Sequence, residues 1–251
     1  MIVPTHDSSE LARQTADGSW TLAHAEHSEW YHSRAGALTE ARHLYVVASG
    51  ILGEFEQGNC VRVLDVGLGL GYNALATVDA WLQSGAKAHL QILSLENDEA
   101  LFHALRSGSA PWQIGWNPFW IEALKGLRCE SDGLWRGVIR GPGGGALDWH
   151  VILGDARSDA SLSLIQSSGP HDYVWQDPFS PKKNPGMWTA DWFSAVALAV
   201  GCDGCLMTYS VARKVRDALE VSGWRVEKIP TTSHKKNWLR AFRLARVGDP
   251  T

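Results

Sequence analysis

The chain has 251 residues, 45% of them hydrophobic, with 23 Lys and Arg against 27 Asp and Glu for a formal net charge of −4. That content can bury one large core. The absence of any run of eighteen apolar residues, and an amino terminus without the basic and apolar regions of a signal peptide, point away from membrane and secreted classes toward a cytoplasmic protein. Charge is unevenly placed: residues 1–181 hold 11 Lys and Arg against 21 Asp and Glu, whereas residues 182–246 hold 12 against 5, an asymmetry that suits a polyanion partner or a solvated basic face.

Residues 1–60 begin polar and then carry a helical pattern through Ala37, Ala41, Leu44, Val47 and Leu52. Val61-Arg62-Val63-Leu64-Asp65-Val66 reads as a buried strand running into Gly67-Leu68-Gly69-Leu70-Gly71, with a helix from about Asn73 to Gln83. Leu90–Leu95 is a second strand ending at Glu96, and Asp98 and Glu99 suit the first turn of the next helix, so this stretch forms a βαβ unit. An aromatic segment over 111–128 reads as a helix that ends near Gly126. Strands over 134–139 and 147–153 are joined by Gly141-Pro142-Gly143-Gly144-Gly145, a turn or flexible tip, and Gly154-Asp155 closes the second of them. Tyr173-Val174-Trp175 is the end of a buried strand that opens into Asp177-Pro178-Phe179-Ser180-Pro181, where prolines stiffen the loop. Beyond it the pattern predicts a helix over 187–200, a strand over 204–209, a helix over 211–221 and a final pair of strands over 224–228 and 238–244.

The fold class expected is α/β, Rossmann-like, with a mostly parallel sheet and an antiparallel edge: residues 1–60 form an N-terminal extension packing over the cofactor site and residues 61–251 a single compact domain. Cys60 and Cys129 stand alone. Cys202-Asp203-Gly204-Cys205 has the spacing of half a zinc site with no second pair, so free thiols and no metal are expected.

The chemistry starts at the glycine loop. Its G-x-G-x-G spacing departs from the dinucleotide fingerprint G-x-G-x-x-G, and Tyr72 stands where a small residue packs near a pyrophosphate, which disfavours a nicotinamide-dependent oxidoreductase. Asp65 before the loop suits a cationic cofactor, Glu96 can accept from both hydroxyls of a ribose, and Asp155 can take a purine amino group. For each acid alone, a helix cap is the competing reading. Three acids at successive strand ends resemble the S-adenosylmethionine pocket of class I methyltransferases. Asp177, on its stiffened loop, is a candidate to face a substrate.

Three motifs together, Asp65 through Asn73, Asp177 through Trp188, and Tyr31-His32-Ser33 leading to Glu40-Ala41-Arg42, resemble the tRNA wobble-uridine aminomethyl methyltransferases, over about residues 20 to 245. The resemblance implies methyl transfer from S-adenosylmethionine to the exocyclic amine of 5-aminomethyl-(2-thio)uridine at the tRNA wobble position. It implies a cofactor site lined by Asp65, Gly67, Gly69, Glu96 and Asp155 with Tyr31 and Ser33 near it, and Asp177 facing the substrate amine as the catalytic residue. Phe179, Trp188 and the lysines Lys182, Lys183, Lys235 and Lys236 are the candidates to meet the tRNA anticodon region. Family members that are bifunctional carry a flavin-dependent oxidase domain, and no second glycine fingerprint marks one here. A methyltransferase for a small molecule or protein, or a catalytically idle RNA-binding protein of this fold, are the alternatives. One continuous basic patch around the cleft would separate the tRNA enzyme from the first.

Overall fold

The computed structural model describes residues 12–24, 29–34, 36–131, 133–231 and 237–245. Three short strands come first, β1 (Ala12–Gln14), β2 (Trp20–His24) and β3 (Glu29–Trp30), paired antiparallel in a small sheet of their own. Helix α1 (Ala37–Ala41) passes directly into a π-helical stretch, Arg42–Val47, and α2 follows (Ile51–Gln57). The single helix expected here is divided because Gly50 turns left-handed at φ 87°. In the wider π turn Leu44, Tyr45 and Val46 are all buried, three consecutive residues that α-helical spacing would spread around the axis.

The chain then alternates through β4 (Val61–Val66), α3 (Tyr72–Gln83), β5 (Leu90–Glu96), α4 (Glu99–Ser107) and α5 (Pro118–Gly126). In place of one aromatic helix over 111–128 there is a 3₁₀ turn, Pro111–Gln113, and then α5, which starts at Pro118 with Asn117 accepting from the Phe119 N–H. Next come β6 (Arg128–Ser131), β7 (Leu134–Arg140), β8 (Ala146–Leu153), α6 (Asp159–Ser168) and β9 (His171–Gln176). The helix expected over 187–200 is a 3₁₀ turn, Pro185–Trp188, followed by α7 (Ala190–Leu198), which Thr189 caps. The chain closes with β10 (Val200–Thr208), α8 (Arg213–Val221), β11 (Trp224–Pro230) and β12 (Asn237–Arg243).

Nine strands form the main sheet in the order β11-β12-β10-β9-β4-β5-β8-β7-β6. The five central strands, β10 to β8 in that order, pair parallel, and antiparallel strands are added on both flanks where one edge was expected. Alternation divides the core. Val61, Val63, Ile92, Trp149 and Trp175 pack under the π stretch and α1 to α5, and Leu64, Val66, Leu93, Leu95 and Val174 pack against α6, α7 and α8. Cys202 and Cys205 lie in β10 around a register shift, one exposed and one buried, and no group of three or more His, Cys, Asp or Glu able to hold a metal exists among the described residues. The glycine tip packs tightly. Gly145 donates to the Ala86 carbonyl at 2.9 Å, and a Cβ on Gly143 would overlap the Gly85 carbonyl, so this hairpin seats against the connection between α3 and β5.

Candidate active site

Chain direction around the sheet reverses at β4, whose neighbours are β5 on one side and β9 on the other, and the ends of β4 and β9 open at this switch point. The glycine turn and the Asp177 loop meet here. Asp177 N–H donates to the Val66 carbonyl at 3.0 Å, and Gly67, at φ 91°, lies so close to the Asp177 carbonyl that a Cβ would stand 3.0 Å from it. A side chain at 67 would meet both strain and backbone contact.

Above this point is a cleft of about 1470 Å³ whose wall includes Tyr31, Ser33, Gly67, Gly69, Glu96, Asp155, Asp177 and Phe179. Seven of the residues expected from sequence for cofactor and catalysis thus reach one cavity. Asn73, in the first turn of α3 and only 3% exposed, donates from Nδ2 to Asp177 Oδ2 at 2.7 Å. The buried Tyr45 phenol packs nearby; burial first, and then Asp177, raise it above its ordinary value. The loop beyond Asp177 is held along its length. Tyr209 donates to the Pro178 carbonyl, Trp188 Nε1 to the Phe179 carbonyl, and Lys214 to the Pro181 carbonyl, while Ser180 donates from its backbone and hydroxyl to the two oxygens of Glu29. His24, Tyr31 and Phe179 form an aromatic group with ring centroids 4.9 to 5.7 Å apart.

On the other side of the switch point Glu96 braces the glycine turn. Its Oε2 accepts from the Gly69 N–H at 2.7 Å and its Oε1 from the Asn97 and Asp98 N–H groups at 2.8 Å each. Burial raises this carboxyl and the backbone donors oppose it, with a net upward direction. Oε1 thus has both lone pairs engaged, and Oε2 retains one acceptor site for a ligand hydroxyl. Asp155 is turned to Arg157, which reaches it through Nε at 3.2 Å and Nη2 at 3.1 Å, so its carboxylate is already engaged. The Ser33 hydroxyl donates to Glu40.

Two sequence expectations change. Asp65 is fully buried beneath the loop and is not on the cleft wall: the pleat turns it to the helix-covered face, where it accepts from the Ser94 hydroxyl at 2.8 Å and its Oδ1 has no partner. Trp188 is 4% exposed and packs edge-on to Tyr209, so it belongs to the core and offers no face to a base. Lys182 and Lys183 are exposed and are not part of the cleft wall, and Lys235 and Lys236 lie outside the described residues. Reasoning from sequence missed Asn73, Tyr45, Glu29 and His24. Asn73 alone left a signal, a polar residue at an inward position just after a glycine turn.

Burial pushes Asp65 up to about 8 from 3.8, against the lowering effect of Ser94 and with Asp177 and Glu96 adding to the rise. The folded state therefore holds a proton that the unfolded state has released between about pH 4 and 8, and stability falls as pH rises through that window. Melting temperatures recorded from pH 5 to 8.5 should fall more steeply for the wild type than for Asp65→Asn. Parallel curves would show that Asp65 ionises normally in the folded protein.

A glycine turn whose approach carries no Cβ and acceptors at the ends of neighbouring parallel strands fit a nucleoside cofactor, and the fold and site define a class I S-adenosylmethionine-dependent methyltransferase. The family described as S-adenosyl-L-methionine-dependent methyltransferase matches residues 142–243. Over 88% of the chain, 31% of residues are identical to the tRNA 5-methylaminomethyl-2-thiouridine biosynthesis bifunctional protein MnmC of Azoarcus sp. (strain BH72), of which the match covers 34%. The protein of the same name from Paracidovorax citrulli (strain AAC00-1) is 32% identical over 84% of the chain and 32% of its own length. The chain thus spans about a third of the length of these curated relatives. The crystal structure of MnmC2 from Aquifex aeolicus superposes with a TM-score of 0.74 at 29% identity, covering 96% of this chain and 72% of that one. The chain belongs to the family of the MnmC methyltransferase portion.

Proposed function

We propose that this chain methylates the exocyclic amine of 5-aminomethyl-(2-thio)uridine at the tRNA wobble position, giving the 5-methylaminomethyl nucleoside, with S-adenosylmethionine as donor. The observation that carries the reading is the Asp177 carboxylate, fixed by Asn73 at the switch point of a cleft whose other side presents Glu96 and the glycine turn. The relatives' names supply tRNA and the 5-methylaminomethyl-2-thiouridine product, from which the amine substrate is inferred.

Gly67, Gly69, Glu96 and Asp155 would hold the cofactor, with Tyr31 and Ser33 beside them and Asp65 acting from beneath the turn. When bound, S-adenosylmethionine supplies a methyl group on a sulfonium, which is already electrophilic, so positioning dominates what the protein contributes. The acidic wall, with Glu29, Glu40 and Asp177, favours entry of a cationic aminomethyl group. To react, the amine must shed a proton and point its lone pair, and the Asp177 carboxylate accepts a hydrogen bond from the amine, stabilises the positive charge that forms on nitrogen and takes the proton directly or through water. The His24, Tyr31 and Phe179 rings offer a π surface for a splayed-out base, and the exposed Lys182 and Lys183 would meet phosphates. Lys235 and Lys236 complete the proposed basic contact from outside the described residues.

Mass spectrometry of wobble nucleosides checks this directly. tRNA carrying 5-aminomethyl-2-thiouridine, incubated with protein and cofactor, should gain one methyl group at that nucleoside and nowhere else. An unmodified wobble position, with methyl transfer instead to a small amine or a protein, would replace the substrate while keeping the enzyme class.

A further inference from the structure

Acids outnumber permanent cations on the wall of the cleft, with Glu29, Glu40, Glu96, Asp98 and Asp177 drawn from separate segments. A nucleic-acid backbone approaching it meets repulsion. Among the described residues of the wall only two permanent cations stand against this, Arg157, which is engaged by Asp155, and Arg13 of β1. The Arg13 guanidinium carbon lies 3.5 Å from the centroid of the Trp30 ring, its Nε is buried with no hydrogen-bond partner, and no carboxylate among the described residues forms an ion pair with it. Loss of solvent first, and then Arg34, push this guanidinium below its ordinary value. A guanidinium stacked on an indole, with no ion pair among the described residues, has N–H donors left for an anion.

We propose that Arg13, with Arg34 beside it, forms a phosphodiester-binding site on the N-terminal sheet that seats an RNA backbone at the mouth of the cleft. Stacking on Trp30 fixes the guanidinium plane and leaves its in-plane N–H edge to fork two oxygens of one phosphate. Arg34 is exposed and lies off the cleft wall, so the pair runs from the wall outward, as a polymer passing the opening would. A small cofactor anion inside the cavity would meet Arg13 alone. This proposal rests on the tRNA reading and deepens it.

Filter binding of tRNA between about 50 and 200 mM salt, together with calorimetric titration of S-adenosylmethionine, tests the site in wild type, in the Arg13→Gln/Arg34→Gln double variant and in Arg13→Lys. The double variant should lose about tenfold in tRNA affinity, and its salt slope should flatten by about 0.7 per lost contact, the value for single strands, with cofactor affinity unchanged. Arg13→Lys, which keeps the charge but not the fork, should fall between the two. Equal tRNA affinity and slope in wild type and double variant would reduce the pair to solvated cations and overturn the proposal. A loss of cofactor affinity with tRNA binding intact would also overturn it, assigning Arg13 to the cofactor carboxylate. If wild type itself shows no salt-dependent tRNA affinity, the tRNA reading falls first and this site falls with it.

Discussion

The Asp177→Ala protein is expected to bind S-adenosylmethionine as the wild type does while turning over more slowly by a factor on the order of 10²–10³, the scale for losing one electrostatic contact to developing charge. The effect should fall on kcat, because the carboxylate acts most strongly on the positive nitrogen that forms as the methyl group arrives. Its position argues for this specificity: Asn73 Nδ2 holds Oδ2 at 2.7 Å and the backbone N–H is tied to β4, so removing the side chain leaves the loop's own anchors at Pro178, Phe179 and Ser180 in place. Asp177→Asn separates charge from shape, since an amide oxygen can still accept from Asn73. Steady-state kinetics on both variants, with calorimetry for the cofactor, checks the assignment. Near-normal turnover in Asp177→Asn would mean that the carboxylate's charge is not used.

Glu96→Ala is expected to weaken S-adenosylmethionine binding by about 1.5–3 kcal/mol, the range for hydrogen bonds to a charged acceptor, which is a loss of roughly 10- to 150-fold. Two contributions converge. The variant loses the proposed acceptor for the ribose, and it also releases the Gly69, Asn97 and Asp98 N–H groups that the carboxylate gathers, so the glycine turn loses its brace. Glu96→Gln retains one oxygen for the Asn97 and Asp98 donors but sets an amide N–H₂ against Gly69, and it should fall between wild type and Ala. Calorimetric titration decides the matter, and wild-type affinity in Glu96→Ala would place the ribose elsewhere.

What sequence revealed best is what local pattern encodes. The β-branched run ending at Val66, the glycines behind it and the acid after Leu95 mark the cofactor side because strand, turn and helix there are consecutive in the chain. Asp177 was legible through its prolines. The N-terminal sheet was not, since strands of two to five residues show no usable alternation and their pairing is set by tertiary packing on Tyr72 and the Asp177 loop. Asp65 shows a different failure: a carboxylate preceding a glycine turn looks like a ligand contact, yet a strand residue points to whichever face the pleat assigns, and here that is the interior. Thirteen tryptophans hide Trp188 in the same way, because only packing tells a core indole from a stacking platform.

Glu29 and Ser180, joined by two hydrogen bonds, are 151 residues apart. Loop closure over such a span is slow to find during folding, although it adds little to the equilibrium cost. As the chain leaves the ribosome, β4, α3 and β5 emerge together and can pair at once, whereas the amino-terminal strands must wait for β9 and the loop after it before they have a surface to dock on. The two sides of the cleft are therefore completed at different times, the glycine-turn side early and the Asp177 side late. A nascent chain that has not yet reached Ser180 carries Glu96 and the glycine turn but lacks the anchor that holds the Asp177 loop to the amino-terminal sheet.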